Sequence, residues 1–170
     1  SDGGQYNTVD AALKRVEEFQ HEGVDIVDIG GYSSRPYATP VSPEEELARI
    51  ADITTKILKR FPDLIISIDT FRPFVAKRML DIGAHIINDI SAGSGIGKAG
   101  GTSMLELVSE YRNVPYIGMH MKGDPSNMQN RPEYEDATAE VFQFFVDKIR
   151  EVRELGIKDI IIDPGFGFGK

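Results

Sequence analysis

Cysteine is absent from the 170 residues, which excludes disulfides and thiolate chemistry and fits a reducing compartment. No apolar run approaches the roughly 20 residues that a membrane-spanning helix needs, and no opening stretch reads as a signal peptide. An excess of positive charge is also missing. The net charge of −8 argues against non-specific binding to nucleic acid or to a membrane surface. We therefore expect a cytoplasmic protein with no nucleic-acid and no membrane partner, and any anionic substrate must find a local basic spot. Several motifs are missing too. His21, His85 and His120 form no H-E-x-x-H pair and no zinc set. No Ser–His–Asp or Cys–His arrangement stands out, and the G-x-x-x-x-G-K-[ST] spacing of a P-loop does not occur. His21 reads as a surface helix residue, His85 as the start of a strand, and His120 as a hydrogen-bonded polar side chain near a strand end.

What is present is the composition of a globular protein, 41% hydrophobic and 27% charged, long enough for one domain over residues 1–170. Five short apolar runs each end on a polar cluster. Val24 to Ile29 runs into Gly30-Gly31-Tyr32-Ser33-Ser34-Arg35-Pro36, and Leu64 to Ile68 stops at Asp69-Thr70. His85 to Ile87 stops at Asn88-Asp89, Tyr116 to Gly118 at Met119-His120-Met121, and Ile160 to Ile162 at Asp163-Pro164-Gly165-Phe166-Gly167-Phe168-Gly169-Lys170. Between these runs lie helical patterns at residues 8–22, 43–60, 73–82, 102–111 and 134–155, with Thr8 and Ser42 as N-caps, Pro43 at a first helical position, and Gly23, Gly83 and Gly156 as stops. Ala12, Val16 and Phe19 mark the buried face of the first helix. Leu47, Ile50, Ile53, Ile57 and Leu58 mark that of the second, and Val141, Phe144, Phe145, Ile149 and Val152 that of the last.

Alternating strands and helices predict βαβ units and a parallel α/β sheet. Helices should cover one face of the strands and barrel or sheet packing the other. A flavodoxin-like open sheet fits the length, but its one or two switch points make only some strand ends functional. Here all five are polar, and a barrel gathers every strand end on one mouth. We therefore expect a truncated (β/α)8 TIM barrel that holds strands two to six and helices one to five. A whole barrel typically needs about 250 residues. The chain opens without Met on the turn sequence Ser1-Asp2-Gly3-Gly4 and stops at Lys170 after a strand exit. The domain is accordingly expected to be incomplete at both ends.

Asp69, Asn88 and Asp163 can together read the donor–acceptor edge of a flat heterocycle. Each can equally cap the loop that follows it. Arg35, with the hydroxyls of Ser33 and Ser34, can clamp a phosphate, or it can be a solvated loop arginine. The alternating glycines of the last segment let backbone approach a ligand closely, and Phe166 and Phe168 can stack on an aromatic ring. The plainer reading is a flexible turn with one Phe in the core. Met121 and Met128 can line an adaptable apolar wall.

Taken in order, these segments resemble dihydropteroate synthase, of the pterin-binding family. The matching pieces are Ser1 to Gly4, Asp28-Ile-Gly-Gly31 with Ser33-Ser-Arg-Pro36, Glu44 to Glu46, Ser67-Ile-Asp-Thr70, Gly83 to Asp89, Met119-His-Met121 with Met128-Gln129, and Asp163 to Lys170. The resemblance implies a (β/α)8 barrel that condenses 6-hydroxymethyl-7,8-dihydropterin diphosphate with p-aminobenzoate, giving 7,8-dihydropteroate and diphosphate, with Mg2+ as cofactor and a homodimeric parent. It implies that Asp69, Asn88 and Asp163 hold the pterin and that Met121 lines its pocket. Ser34 and Arg35 would meet diphosphate and p-aminobenzoate, Phe168 would pack on the arylamine ring, and Asp2 would belong to a second loop. Its catalytic set is Asp69, Asp163 and Arg35.

The family more often has Glu where this chain has Tyr32, and Thr where it has Ser34. The metal-binding Asn of the family pattern would precede Ser1, so no metal ligand is expected within 1–170. A pterin-contacting Lys and an anion-binding Arg and His would follow Lys170, and the 170 residues alone are expected to be inactive. Two other readings remain: a methyltetrahydrofolate methyltransferase domain with the same pterin contacts, and a non-catalytic pterin-binding fragment.

Overall fold

In the computed structural model, the structure describes residues 8–34, 39–94, 101–123 and 133–170. Helices and strands alternate along the chain: α1 (Val9–His21), β1 (Ile26–Gly30), α2 (Pro43–Arg60), β2 (Ile65–Asp69), α3 (Pro73–Ile82), β3 (Ile86–Asp89), α4 (Met104–Glu110), β4 (Tyr116–Met119), α5 (Ala137–Glu154) and β5 (Ile160–Asp163). The helix starts follow from local chemistry. Thr8, Ser42 and Asp136 each accept a hydrogen bond from a backbone N–H of the first turn. Ser103 and Glu106 form a reciprocal capping box. α3 begins on Pro73 with no side-chain cap, since Arg72 at that position has no acceptor to offer, and it ends at Gly83 in the left-handed conformation.

The strands are all parallel and pair in the order β1-β2-β3-β4-β5. Consecutive pairing is the order of staves in a βα barrel, whereas the flavodoxin-like sheet runs 2-1-3-4-5. The expected barrel topology is thus what the chain adopts, as a five-stranded arc. The register carries Gly30, Asp69, Asn88, Ile117 and Ile161 across the sheet in one row, with Met119 and Asp163 paired one layer farther on. Paired residues of neighbouring strands share a face, so these side chains lie on the concave side together with Asp28 and Ser67.

The convex side carries the core. Val27, Ile66, Ile68, Ile87 and Tyr116 pack under the helices with Ile50, Ile57, Val75, Met79, Leu105, Val108 and Val152. In α1 and α2 the expected residues are buried or pack half-buried against the core, and α5 follows the pattern less closely. There Phe145 and Val152 are buried, while Val141, Phe144 and Ile149 are only half-buried. The expectation that both sheet faces are covered is corrected: Ile26, Ile65 and Ile161, all on the concave face, are exposed. Ser67 and Ile86 on the same face are nevertheless buried, so the face is open only in part.

Candidate functional site

The C-terminal strand ends form two tiers. In the lower tier, Asp69 on β2 and Asn88 on β3 are register partners, and Gly30 on β1 sits opposite Asp69. A Cβ at Gly30 would stand 3.2 Å from the Asp69 Cβ and 3.4 Å from its Oδ2, so the missing side chain leaves room for the carboxyl. The Asn88 Nδ2 donates to Asp28 Oδ2 at 3.1 Å. Burial, and then the negative charges of Asp28, Glu46 and Asp89, push the Asp69 carboxyl up to about 7. Asp69 is partly exposed all the same, so it can exchange its proton and meet a ligand.

The upper tier is apolar. Phe71, Ile90 and Met119 form a cluster separate from the main core, and Tyr32, Met121 and Phe168 pack against it. Tyr32 meets Phe71 edge to face at 5.1 Å between ring centroids. A polar floor beneath an aromatic and methionine wall suits a flat heterocycle with an apolar extension.

Asp163 reaches the same mouth from β5, where its backbone carbonyl accepts from the His120 N–H at 2.9 Å. One carboxyl oxygen accepts from the Gly165 N–H at 2.8 Å. The capping role weighed from sequence is therefore real for that oxygen. Two of the glycines after Asp163 pack closely on the chain, and Gly167 faces open space. Gly165 and Gly169 approach the protein itself: a Cβ would lie 2.1 Å from the His120 carbonyl oxygen at Gly165 and 2.4 Å from the Lys122 carbonyl oxygen at Gly169. Both have positive φ. Phe166 is 85% exposed, and of the two phenylalanines Phe168 is the one in the wall.

Of the sequence candidates, Asp69, Asn88, Asp163, Met121 and Phe168 come together at this mouth. Ser34 is half-buried at the end of the β1 exit. Arg35 and Asp2 lie outside the described residues, as does Met128. His120 turns away from the mouth. It is buried, its ring stands edge-on to Phe144 at 4.8 Å, and Lys170 Nζ lies 2.8 Å from its Nδ1. Burial, then the Lys170 charge, lower its pKa, so it serves as a neutral hydrogen-bond partner.

Asp89, next to Asn88, is fully buried. It accepts from the Ser91 N–H and Oγ, the Gly93 N–H and the Tyr116 hydroxyl. All its capacity is spent on the turn, which separates the structural acid from the ligand-facing amide.

Sequence reasoning missed three features. Glu46 reads as a first-turn helix acid, yet it is fully buried and binds Thr70 Oγ1 at 2.6 Å and Arg72 Nη1 at 2.7 Å. Arg72 also donates to the Val41 carbonyl at 2.7 Å and lies over the rings of Tyr32 and Phe71. One guanidinium thus ties both ends of the β1–α2 connection to β2. No local pattern marks this pair. The third feature, Asp28, did carry a signal: it interrupts an apolar run two residues before Gly30, and so shares its face.

With this geometry in view, the comparisons converge. The sequence model of the family described as pterin binding enzyme matches residues 1–170. The chain is 41% identical over 172 residues to the dihydropteroate synthase of Escherichia coli strain K12, covering 100% of this chain and 58% of that protein. The Yersinia pestis dihydropteroate synthase, solved with a sulfonamide drug complex, superposes with a TM-score of 0.90 at 38% identity, over 100% of this chain and 60% of that one. The Burkholderia cenocepacia enzyme, complexed with 7,8-dihydropteroate, superposes with a TM-score of 0.82 at 38% identity, over 96% and 56%. The chain spans about three fifths of these relatives' length. Strand order, polar floor and full-length sequence match agree, and the chain belongs to the pterin binding enzyme family.

Proposed function

We propose that this chain is part of a dihydropteroate synthase, which condenses 6-hydroxymethyl-7,8-dihydropterin diphosphate with p-aminobenzoate to give 7,8-dihydropteroate and diphosphate. The observation that carries the reading is the two-tier mouth, with the Asp69 carboxyl and Asn88 amide in its floor, and Asp163 one layer above at the level of a wall of Phe71, Met119, Met121 and Phe168. In this reading Asp69, Asn88 and Asp163 hold the heterocycle edge, Met121 lines its pocket, and Phe168 packs on the arylamine ring. Ser34 and Arg35 meet the diphosphate, and Asp2 belongs to the second loop over the mouth. The arylamine nitrogen forms the new C–N bond to the pterin methylene. The C–O bond to diphosphate breaks with its electrons leaving on the diphosphate, and the nitrogen releases a proton. Such a step asks the protein for positioning and charge stabilisation more than for a strong base.

The Mg2+ implied by the resemblance belongs with the diphosphate. Among the described residues no group of three or more carboxylates, histidines or cysteines is placed to hold it, and no step above is routed through it. The proposal includes a homodimeric, cytoplasmic parent. Among the described residues no helix is long and apolar enough to cross a membrane.

The test is dihydropteroate formation by the whole protein from the two substrates. Diphosphate release in step with product, abolished in Asp69→Ala and Asp163→Ala, is expected. Methyl transfer from methyltetrahydrofolate with no dihydropteroate formed would overturn the assignment.

A further inference from the structure

Asp28 stands on β1, opposite Ser67 in the register and on the same concave face as Gly30, Asp69 and Asn88. β2 lies between β1 and β3, so a contact from Asn88 to Asp28 has to cross a whole strand. It does so at 3.1 Å, from Asn88 Nδ2 to Asp28 Oδ2. A carboxylate can only accept, so it selects the amino end of the amide and turns the Asn88 carbonyl oxygen toward the mouth. A ligand atom facing that oxygen must then be a hydrogen-bond donor.

The same carboxylate acts on Asp69. The charged and polar groups around Asp69 are Asp28 from β1, Glu46 from α2, and Asn88 and Asp89 from β3. Glu46 is neutralised by Arg72, and Asp89 is saturated by four donors. Asp28 heads the charges that hold the Asp69 proton, and it is the one of them that is exposed at the mouth. Gly30 keeps the space beside Asp69 open, so the two carboxyl groups share one uncluttered face.

We infer that Asp28 is a positioning residue for the heterocycle: it sets which end of the Asn88 amide meets the ligand, and it shares one open face with the Asp69 carboxyl. The inference rests on the pterin reading above for its ligand, though not for its effect on Asp69.

The test uses the whole protein and two variants. Asp28→Asn keeps an acceptor for Asn88 and removes the charge; Asp28→Ala removes both. Asp69 is titrated without ligand by its carboxyl-carbon NMR signal, and the affinity for 6-hydroxymethylpterin is measured from about pH 5 to 9. In Asp28→Asn the Asp69 midpoint should fall by about one unit, and the pH midpoint of pterin affinity should fall with it. In Asp28→Ala the midpoint should fall as in Asp28→Asn, and a further drop of about tenfold should persist at low pH, where Asp69 is protonated in both proteins, because the amide is released. An unmoved Asp69 midpoint in Asp28→Asn, or wild-type affinity in Asp28→Ala, would overturn the inference. A wild-type protein whose Asp69 titrates as described but which binds no pterin would overturn the functional reading, and with it the role of Asp28 toward this ligand.

Discussion

Asp69 pays for its place at the mouth in stability. Burial comes first among the causes that raise its pKa to about 7, and neighbouring carboxylates follow. A carboxyl whose pKa is higher folded than unfolded favours the native state only while it is protonated. The penalty is absent below the unfolded value near pH 4, grows as pH rises, and is complete above about pH 7. Asp69→Asn should therefore be more stable than wild type at pH 8, by on the order of 4 kcal/mol, and nearly equal to it at pH 4. Urea unfolding at the two pH values checks this, and equal gains at both would refute it. Burial raises the Glu46 pKa as well, but here Thr70 and Arg72 partly offset it. Glu46 is buried with its charge paired to Arg72 at 2.7 Å, so Arg72→Met strands a carboxylate in the core and should cost about 3 kcal/mol. In that variant the loss should shrink as pH falls, because protonating Glu46 removes the unpaired charge. Asp69, Asn88 and Asp163 were legible because strand-end polar residues after apolar runs are conspicuous. Glu46 and Arg72 were not, since their partnership joins residues 26 apart in sequence and appears only once α2 packs on β2.

The loop after β5 separates two kinds of glycine. Gly165 has φ +66° and would drive a Cβ to 2.1 Å from the His120 carbonyl, whereas Gly167 has φ +88° with open space around it. Gly167→Ala should cost about 1 kcal/mol, from backbone conformation alone. Gly165→Ala adds a clash with backbone that cannot rotate away. It should cost more than twice as much and displace Phe168, whose N–H bonds the Gly165 carbonyl at 2.9 Å. Thermal unfolding of the two variants, with a p-aminobenzoate titration, tests the contrast. Helix ends were readable to within a few residues because caps, N1 prolines and C-terminal glycines act locally. At the glycine-rich exit close approach was visible in the spacing, but the packing of Gly165 and Gly169 on the exit of β4 was not.

Across the whole molecule, every strand contributes to the mouth. The sequence made this visible as five polar run ends, and the observed order β1-β2-β3-β4-β5 explains it. What lay beyond sequence reasoning was the open concave face, because an apolar run looks the same whether one side or both are covered. Ile26 at 44% and Ile161 at 49% exposure should bind an apolar dye in the 170-residue chain. Ile26→Ser with Ile161→Ser should reduce that signal and lower light scattering without loss of helical circular dichroism. Unchanged dye binding would show that the face is covered in solution. The consecutive topology also bears on how such sites diversify. Since Asp28, Asp69 and Asn88 arrive on separate βα units, recombination between relatives at helix boundaries can exchange one contact at a time. The last two units are an exception. Gly165 and Gly169 nest against the carbonyls of His120 and Lys122, so a crossover between them would mismatch two main chains, and viable hybrids should inherit both from one parent.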